Sequence, residues 1–168
     1  MIDPAYCQTM VRYNAWENTQ LETCLADLPP DELTRDRSAF FGSILATLNH
    51  IHWGDQMWMS RLAGWAKPDI GPYDALTEHT DLSAWVAVRR AMDHRLTGWA
   101  DRLSASDLAG DLTWYSALAQ TDQTQPKALC VAHMFNHQTH HRGQVHAMIT
   151  QAGAKAPVSD LVFMPQGG

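Results

Sequence analysis

Residues 132–148 read AHMFNHQTHHRGQVHAM and hold five of the chain's nine histidines: His133, His137, His140, His141 and His146. Apolar residues recur around this stretch at helical spacing. With His133 set at 0° and about 100° per residue, Cys130 and Met148 fall near about 60°, Met134 and Ala152 near about 100°, and Val145 near about 120°. The apolar stripe therefore centres at about 90°, with His137 at about 40° and His141 at about 80° inside it. His133 and His140 sit on its shoulder, and His146 faces away. Two imidazoles at i and i+4 leave one side of a helix one turn apart. A transition metal bonds such ring nitrogens at about 2.0–2.1 Å. Histidine is seldom fully buried without a role, so a pair at chelate spacing in an apolar stripe favours a metal over two hydrogen-bonded core histidines.

Working outward, this helix spans about residues 126–152, with Gly153 closing it and Pro157 beyond. Three more helical segments precede it. The first covers residues 4–28, with Asp3 as N-cap, Pro4 in the first turn and Pro29-Pro30 as its stop. The second covers 39–63, capped by Ser38 and ended by Gly64, and the third covers 81–103. Four long amphipathic helices predict an all-α chain built as a four-helix bundle. The connections 29–37 and 65–80 read as polar or irregular. An irregular loop, 104–125, comes before the fourth helix, with a helical turn at 106–108 and an extended piece at 112–118. The tail 154–168 reads as a strap, with Leu161, Val162 and Phe163 packing back on the helices. No repeat or second domain is visible, so residues 1–168 read as a single domain, as a length of 168 residues suggests.

Composition narrows the function classes. The chain is 45% hydrophobic and 18% charged, which excludes a disordered tract. A net charge of −6 disfavours binding to nucleic acid through phosphate contacts. No apolar run is long enough for a membrane helix, and no signal peptide is visible. Three scattered cysteines, Cys7, Cys24 and Cys130, imply neither a disulfide framework nor a nucleophile, and point to a reducing, cytoplasmic location. No phosphate-cradling glycine motif occurs.

A third ligand should come from a neighbouring helix. Residues 43–62, SILATLNHIHWGDQMWMSRL, offer His50, His52 and Asp55. With His50 at 0° the apolar stripe centres at about 110°, Asp55 lies inside it at about 140°, and His52 faces away at about −160°. His50 sits on the shoulder beside the small residues Ser43, Thr47 and Gly54. Spacing alone does not choose His50. Asp55 orients a ligating imidazole on one reading and pairs with Arg61, Arg89 or Arg90 on the other. His79 and His94 read as surface residues.

Three blocks in this order, YNAWENTQL (13–21), FFGSILATLNHIHWGDQMWMSRL (40–62) and HMFNHQTHHRGQVHAMITQAG (133–153), make nearly the whole chain resemble the DinB family. These are small bacterial metalloproteins of the DinB/YfiT-like group, damage-inducible and distinct from the polymerase that shares the name. The resemblance implies an up-down-down-up four-helix bundle, often a homodimer. It implies a divalent transition metal (Zn, Ni or Fe) on one histidine of helix two and the paired histidines of helix four, here His50, His137 and His141. His52 stands where many members carry an apolar residue. Related members use low-molecular-weight thiols such as bacillithiol and mycothiol, so the implied partner is a small-molecule substrate of that kind.

Three neutral ligands leave an open coordination position, which suits activation of water or of a thiol. The expected activity is therefore a metal-dependent thiol transferase or hydrolase, with His140 and Asp55 supporting the ligands from behind. Gln144 joins His140 as a hydrogen-bonding candidate; His140 as a plain surface or interface residue is the competing reading. The alternative function is a non-catalytic stress-response protein whose metal is structural or regulatory. Arg142 is expected to form a structural salt bridge. Asn14 and Asn18 are expected to hydrogen-bond across helices, and the tryptophans to pack or to line a dimer interface.

Overall fold

Asp3 starts the first helix through its side chain: its Oδ1 accepts from the Tyr6 amide at 2.8 Å, with Pro4 in the first turn where no N–H is needed. The computed structural model describes residues 2–166. Helix α1 spans Pro4–Ala26. A short α2, Pro30–Thr34, follows inside the connection expected to be merely polar, and buries Leu33. Helix α3 spans Ile44–Ala63, α4 Leu82–Ala100 and α5 Lys127–Gln151. No helix among the described residues is long and apolar enough to cross a membrane.

The expected start of the second long helix at residue 39, capped by Ser38, is corrected. The chain makes a tight turn there, with an Ala39–Gly42 bridge, Ser38 at φ 55° and Gly42 at φ 79°. Gly42 takes the left-handed conformation without a Cβ penalty. Ser43 then caps α3, its Oγ accepting from the Ala46 amide at 3.2 Å. Ser43→Ala should destabilise the fold by about 1 kcal/mol through the lost cap, read as a lower urea midpoint with an unchanged slope.

The all-α expectation also misses a hairpin. Strands β1 (Asp111–Ser116) and β2 (Thr121–Pro126) pair antiparallel, in register from Asp111↔Pro126 to Ser116↔Thr121. The extended piece expected at 112–118 overlaps the first strand, with residues 117 and 118 in the turn that follows it. The second, TDQTQP, has no apolar alternation, so nothing in its pattern marks a strand; backbone pairing and the Thr113–Thr124 hydroxyl contact at 2.8 Å hold it. The molecule is mostly helical with this one small sheet among the described residues.

Side-chain contacts give the helix directions. Asn18 and Glu22 of α1 reach Asp93 and Arg90 of α4, so these two helices run antiparallel. Leu48 and Asp55 of α3 meet Trp85 and Arg89 of α4, a parallel pair. Tyr6 and Asn14 of α1 meet Phe135 and Gln138 of α5, again parallel. His50 meets His141 while Trp58 meets His133, so α3 and α5 are antiparallel.

Two apolar clusters fill the interior. One gathers Met10, Met59, Leu96, Met134 and Phe135; the other Leu25, Ile44, Leu48, Trp85 and Ile149. Between them lies a buried polar layer of Asn14, Asn18, Asp55, Arg89, Gln138 and Arg142. Over residues 154–166 the tail is a strap, but not through the residues expected, and the last two residues of the expected strap, 167 and 168, lie outside the described residues. Leu161, Val162 and Phe163 point outward, Val162 at 81% exposure. Ala154, Ala156 and Met164 make the apolar contacts instead. Backbone carbonyls fasten the rest, with the Tyr13 hydroxyl donating to Ser159 O at 2.6 Å and Gln20 Nε2 to Val158 O at 3.1 Å.

Candidate metal centre

His50 on α3 and His137 and His141 on α5 converge on one point. Each offers a ring nitrogen, and the three nitrogens lie within 4.8 Å of one another. The Nε2 atoms of His50 and His137 are 2.9 Å apart. Two bonds of about 2.0–2.1 Å span that gap to one cation. No fourth His, Cys, Asp or Glu joins the group among the described residues. The donor set therefore fits a divalent transition metal with one side left open.

Protonation favours the same use. Burial pushes His50 down to about 4, with His141 adding to the shift. His137 falls to about 3 through burial and then the field of His141 and His50. Burial also lowers His141, against the opposing hydrogen bond it donates to Gln144. All three rings are neutral at pH 7 and present lone pairs, the form a metal needs. His141 Nδ1 donates to Gln144 Oε1 at 2.8 Å, which fixes the tautomer with Nε2 facing the cluster. The Nδ1 atoms of His50 and His137 are buried without partners among the described residues.

Two neighbours shape the space. A Cβ at Gly54 would stand 2.8 Å from His137 Cε1, so only glycine lets that ring lie against α3. Phe41, from the turn before α3, stacks on His50 with ring centroids 4.0 Å apart and lies 5.3 Å from the ring of His141. It walls one side of the cluster. No periodic signal marks Phe41, because it precedes the helix whose histidine it covers.

Asp55 is fully buried and hydrogen-bonds to none of the three imidazoles. Its Oδ2 accepts from Arg89 Nη1 at 2.6 Å and its Oδ1 from Gln138 Nε2 at 2.7 Å. Of the two readings of this residue, an arginine partner describes its contacts. Burial pushes the Asp55 carboxyl up, against the pull of Arg89. Burial likewise opposes the Arg89 charge, but Asp93 and Asp55 outweigh it and raise its pKa. Arg89 Nη2 lies 2.7 Å from Asp93 Oδ1, and Asn14 donates to Gln138 Oε1. The expected cross-helix role of both asparagines is thus observed, Asn18 donating to Asp93 at 3.0 Å. The Asp55–Gln138 bond ties α3 to α5 one residue beyond Gly54 and His137. Gln138 escapes sequence reading because an amide has no distinguishing spacing.

The remaining histidines divide. His140 is exposed, its ring 4.8 Å from that of His141, and Gln144 Nε2 approaches its Nε2 at 3.5 Å. His133 lies against Trp58, with centroids 4.9 Å apart. His146 bonds the Pro157 carbonyl at 3.1 Å, and His94 is exposed as expected. His52 is corrected from outward-facing to buried, at 4% exposure. The connection after α3 folds back over it: Asn49 Nδ2 donates to Leu76 O and His79 O at 3.0 Å, and Trp53 Nε1 to Ile70 O at 3.0 Å. His79 is therefore half-buried against His52 rather than on the surface. The expected Arg142 salt bridge is also absent among the described residues; the buried guanidinium lies 5.3 Å over the Tyr13 ring.

Burial, then Arg89 and His79, pushes His52 down to about 3. An unfolded chain takes up that proton near about pH 6.5, so between these values the unfolded state binds more protons and stability falls with falling pH. Metal-free protein should lose stability steadily from about pH 6.5 downward. His52→Gln should remove about one proton from the slope, measured as urea midpoints across that range.

Comparison with known proteins adds three findings. The family model described as the DinB family matches residues 1–167. The curated Protein DinB of Bacillus subtilis (strain 168) is 26% identical over 162 residues, covering 92% of this chain and 91% of that protein. A crystal structure of a DinB-like protein from Bacillus cereus superposes with a TM-score of 0.65 at 18% identity, over 84% of this chain and 89% of the other, which is a likeness of fold.

Proposed function

The chain belongs to the DinB family, and from that premise we propose that it is a metal-dependent enzyme that activates a water or a low-molecular-weight thiol, as a thiol transferase or hydrolase. One observation carries this reading: three neutral imidazoles meet at one point with no fourth protein ligand among the described residues. Structural zinc is normally closed by four side chains, whereas three leave a place for a reactant. Zinc, nickel and iron all suit such nitrogen donors. The long helices fit the up-down-down-up four-helix bundle of the family, since their contacts make α1 and α5 parallel and set α3 and α4 against them. The family resemblance further suggests a symmetric homodimer, and the three free cysteines suit a cytoplasmic setting.

A divalent metal held by His50, His137 and His141 would supply a Lewis acid that lowers the pKa of a water or thiol towards neutrality. The chain's own groups do the rest. Gln144 holds His141 in the tautomer that faces the cluster. Phe41 keeps bulk water from one side of the rings. His140 supports the Gln144 amide from its far side, its Nε2 facing Gln144 Nε2 at 3.5 Å while the Gln144 carbonyl faces His141. Asp55 is a positioning residue, acting through Gln138 on the spacing of α3 and α5.

The test is turnover by metal-loaded protein on two substrates, conjugation of a small thiol to an electrophilic arene and hydrolysis of an activated ester. Metal-loaded wild type should accelerate one of them, and His141→Ala should not. A fully loaded protein inert in both would reject the catalytic reading in favour of a structural or regulatory metal.

A further inference from the structure

A run of ring contacts leads from the triad along α3 and α5. One turn before His137 stands His133, with ring centroids 6.0 Å apart, and one turn beyond Gly54 stands Trp58, against His133. Beyond them a cavity of about 330 Å³ opens between α3, α5 and the hairpin, lined by Trp58, Trp114, Gln125, Leu129, Cys130 and His133. Most of that lining is aromatic or apolar. Its position is fixed by the sheet, because Trp114 of β1 meets Trp58 edge-on at 5.5 Å. Arg61 adds a charge. Its guanidinium lies 4.8 Å over Trp58 and 5.5 Å from Trp114, and no carboxylate lies within ion-pair distance of it among the described residues. A cation held on two aromatic faces with no acidic partner sets a positive field at an apolar cavity, which favours an anion there.

We infer that this cavity is the second half of the substrate site, taking an acidic aromatic arm whose other end reaches the triad. The inference rests on the metal reading above and deepens it by naming a substrate class: an elongated organic anion with a metal-binding head and an aromatic carboxylate tail. A short polar thiol or a bare electrophile would leave the cavity unfilled. A flat ring would bury against Trp58, Trp114 and Leu129, and its carboxylate would face Arg61.

The experiment separates the two readings by using heads that bind an accessible transition metal whatever the reaction. Three hydroxamates are titrated by calorimetry into metal-loaded protein of measured metal content: acetohydroxamate, 4-phenylbutanohydroxamate and the para-carboxylate of the latter. The phenyl arm should tighten binding about tenfold or more, as expected for burying a ring of that size. The carboxylate should tighten it further. Trp114→Ala and Leu129→Ser should cancel the gain from the arm while leaving acetohydroxamate affinity and metal content unchanged. Arg61→Gln should cancel only the gain from the carboxylate. Equal affinity for acetohydroxamate and the phenyl compound in fully loaded protein would overturn the inference and leave the metal reading intact. No gain from the carboxylate would overturn its acidic part. Loaded protein that binds no hydroxamate would overturn both.

Discussion

His137→Ala should leave a folded protein that carries less than about a tenth of a metal ion per chain, against about one for wild type. Removing one of three nitrogen donors leaves two neighbours that cannot complete a site for a borderline metal at about 2.0–2.1 Å. His50→Ala and His141→Ala should do the same, since the three nitrogens share one space. The fold should persist, because His137 is only half-buried and lies outside both apolar clusters. Gly54→Ala gives an independent check. Alanine is about 1 kcal/mol better than glycine in a helix interior, yet its Cβ would meet His137 Cε1 at 2.8 Å. The ring must move, so metal should be lost without the loss of intrinsic helix stability that usually confounds such tests. Elemental analysis after dialysis, paired with circular dichroism, reads both quantities. Full metal content in His137→Ala would reject the shared chelate.

The histidine pair was legible because a helix repeats itself: the angle from His137 to His141 follows from their spacing alone, and burial of that face follows from Cys130, Val145 and Met148. His50 was not legible in the same way. It stands on the edge of its own stripe, and only the likeness to a family selects it over Asp55. What periodicity cannot register is cover supplied from elsewhere in the chain. His52 points away from the stripe of α3, yet the connection holding His79 closes over it. Phe41 lies on His50 because Gly42 turns the chain before Ser43 caps the helix. The strand 121–126 is invisible for the opposite reason, since its pairing is carried by the backbone and its side chains are polar on both faces. Asp55 shows a further limit. Its inward angle was clear, but whether it met an imidazole or an arginine depended on where α4 placed Arg89.

That pair sets the second large effect. Arg89→Met should destabilise the protein by about 3–5 kcal/mol, because it strands a fully buried carboxylate. Asp55 would keep only the bond from Gln138, and Asp93 only the contact from Asn18. At roughly 2–4 °C per kcal/mol for a chain of this size, the melting temperature should fall by about 10 °C. The double variant Arg89→Met with Asp55→Asn should recover much of the loss. An amide at 55 carries no charge to desolvate and still accepts from Gln138, so the buried cost falls with the charge rather than with the contact. Asp55→Asn alone should be milder than Arg89→Met, since Arg89 keeps Asp93 at 2.7 Å. The comparison also tests the positioning role of Asp55, because the double variant retains the α3–α5 tie but not the ion pair. If the tie is what spaces the triad, the double variant should bind metal with near wild-type affinity, while Gln138→Leu, which removes the tie and leaves the ion pair, should weaken metal binding about 10- to 100-fold. Equal metal affinity in Gln138→Leu and wild type would confine the polar layer to stability and take Asp55 out of the site.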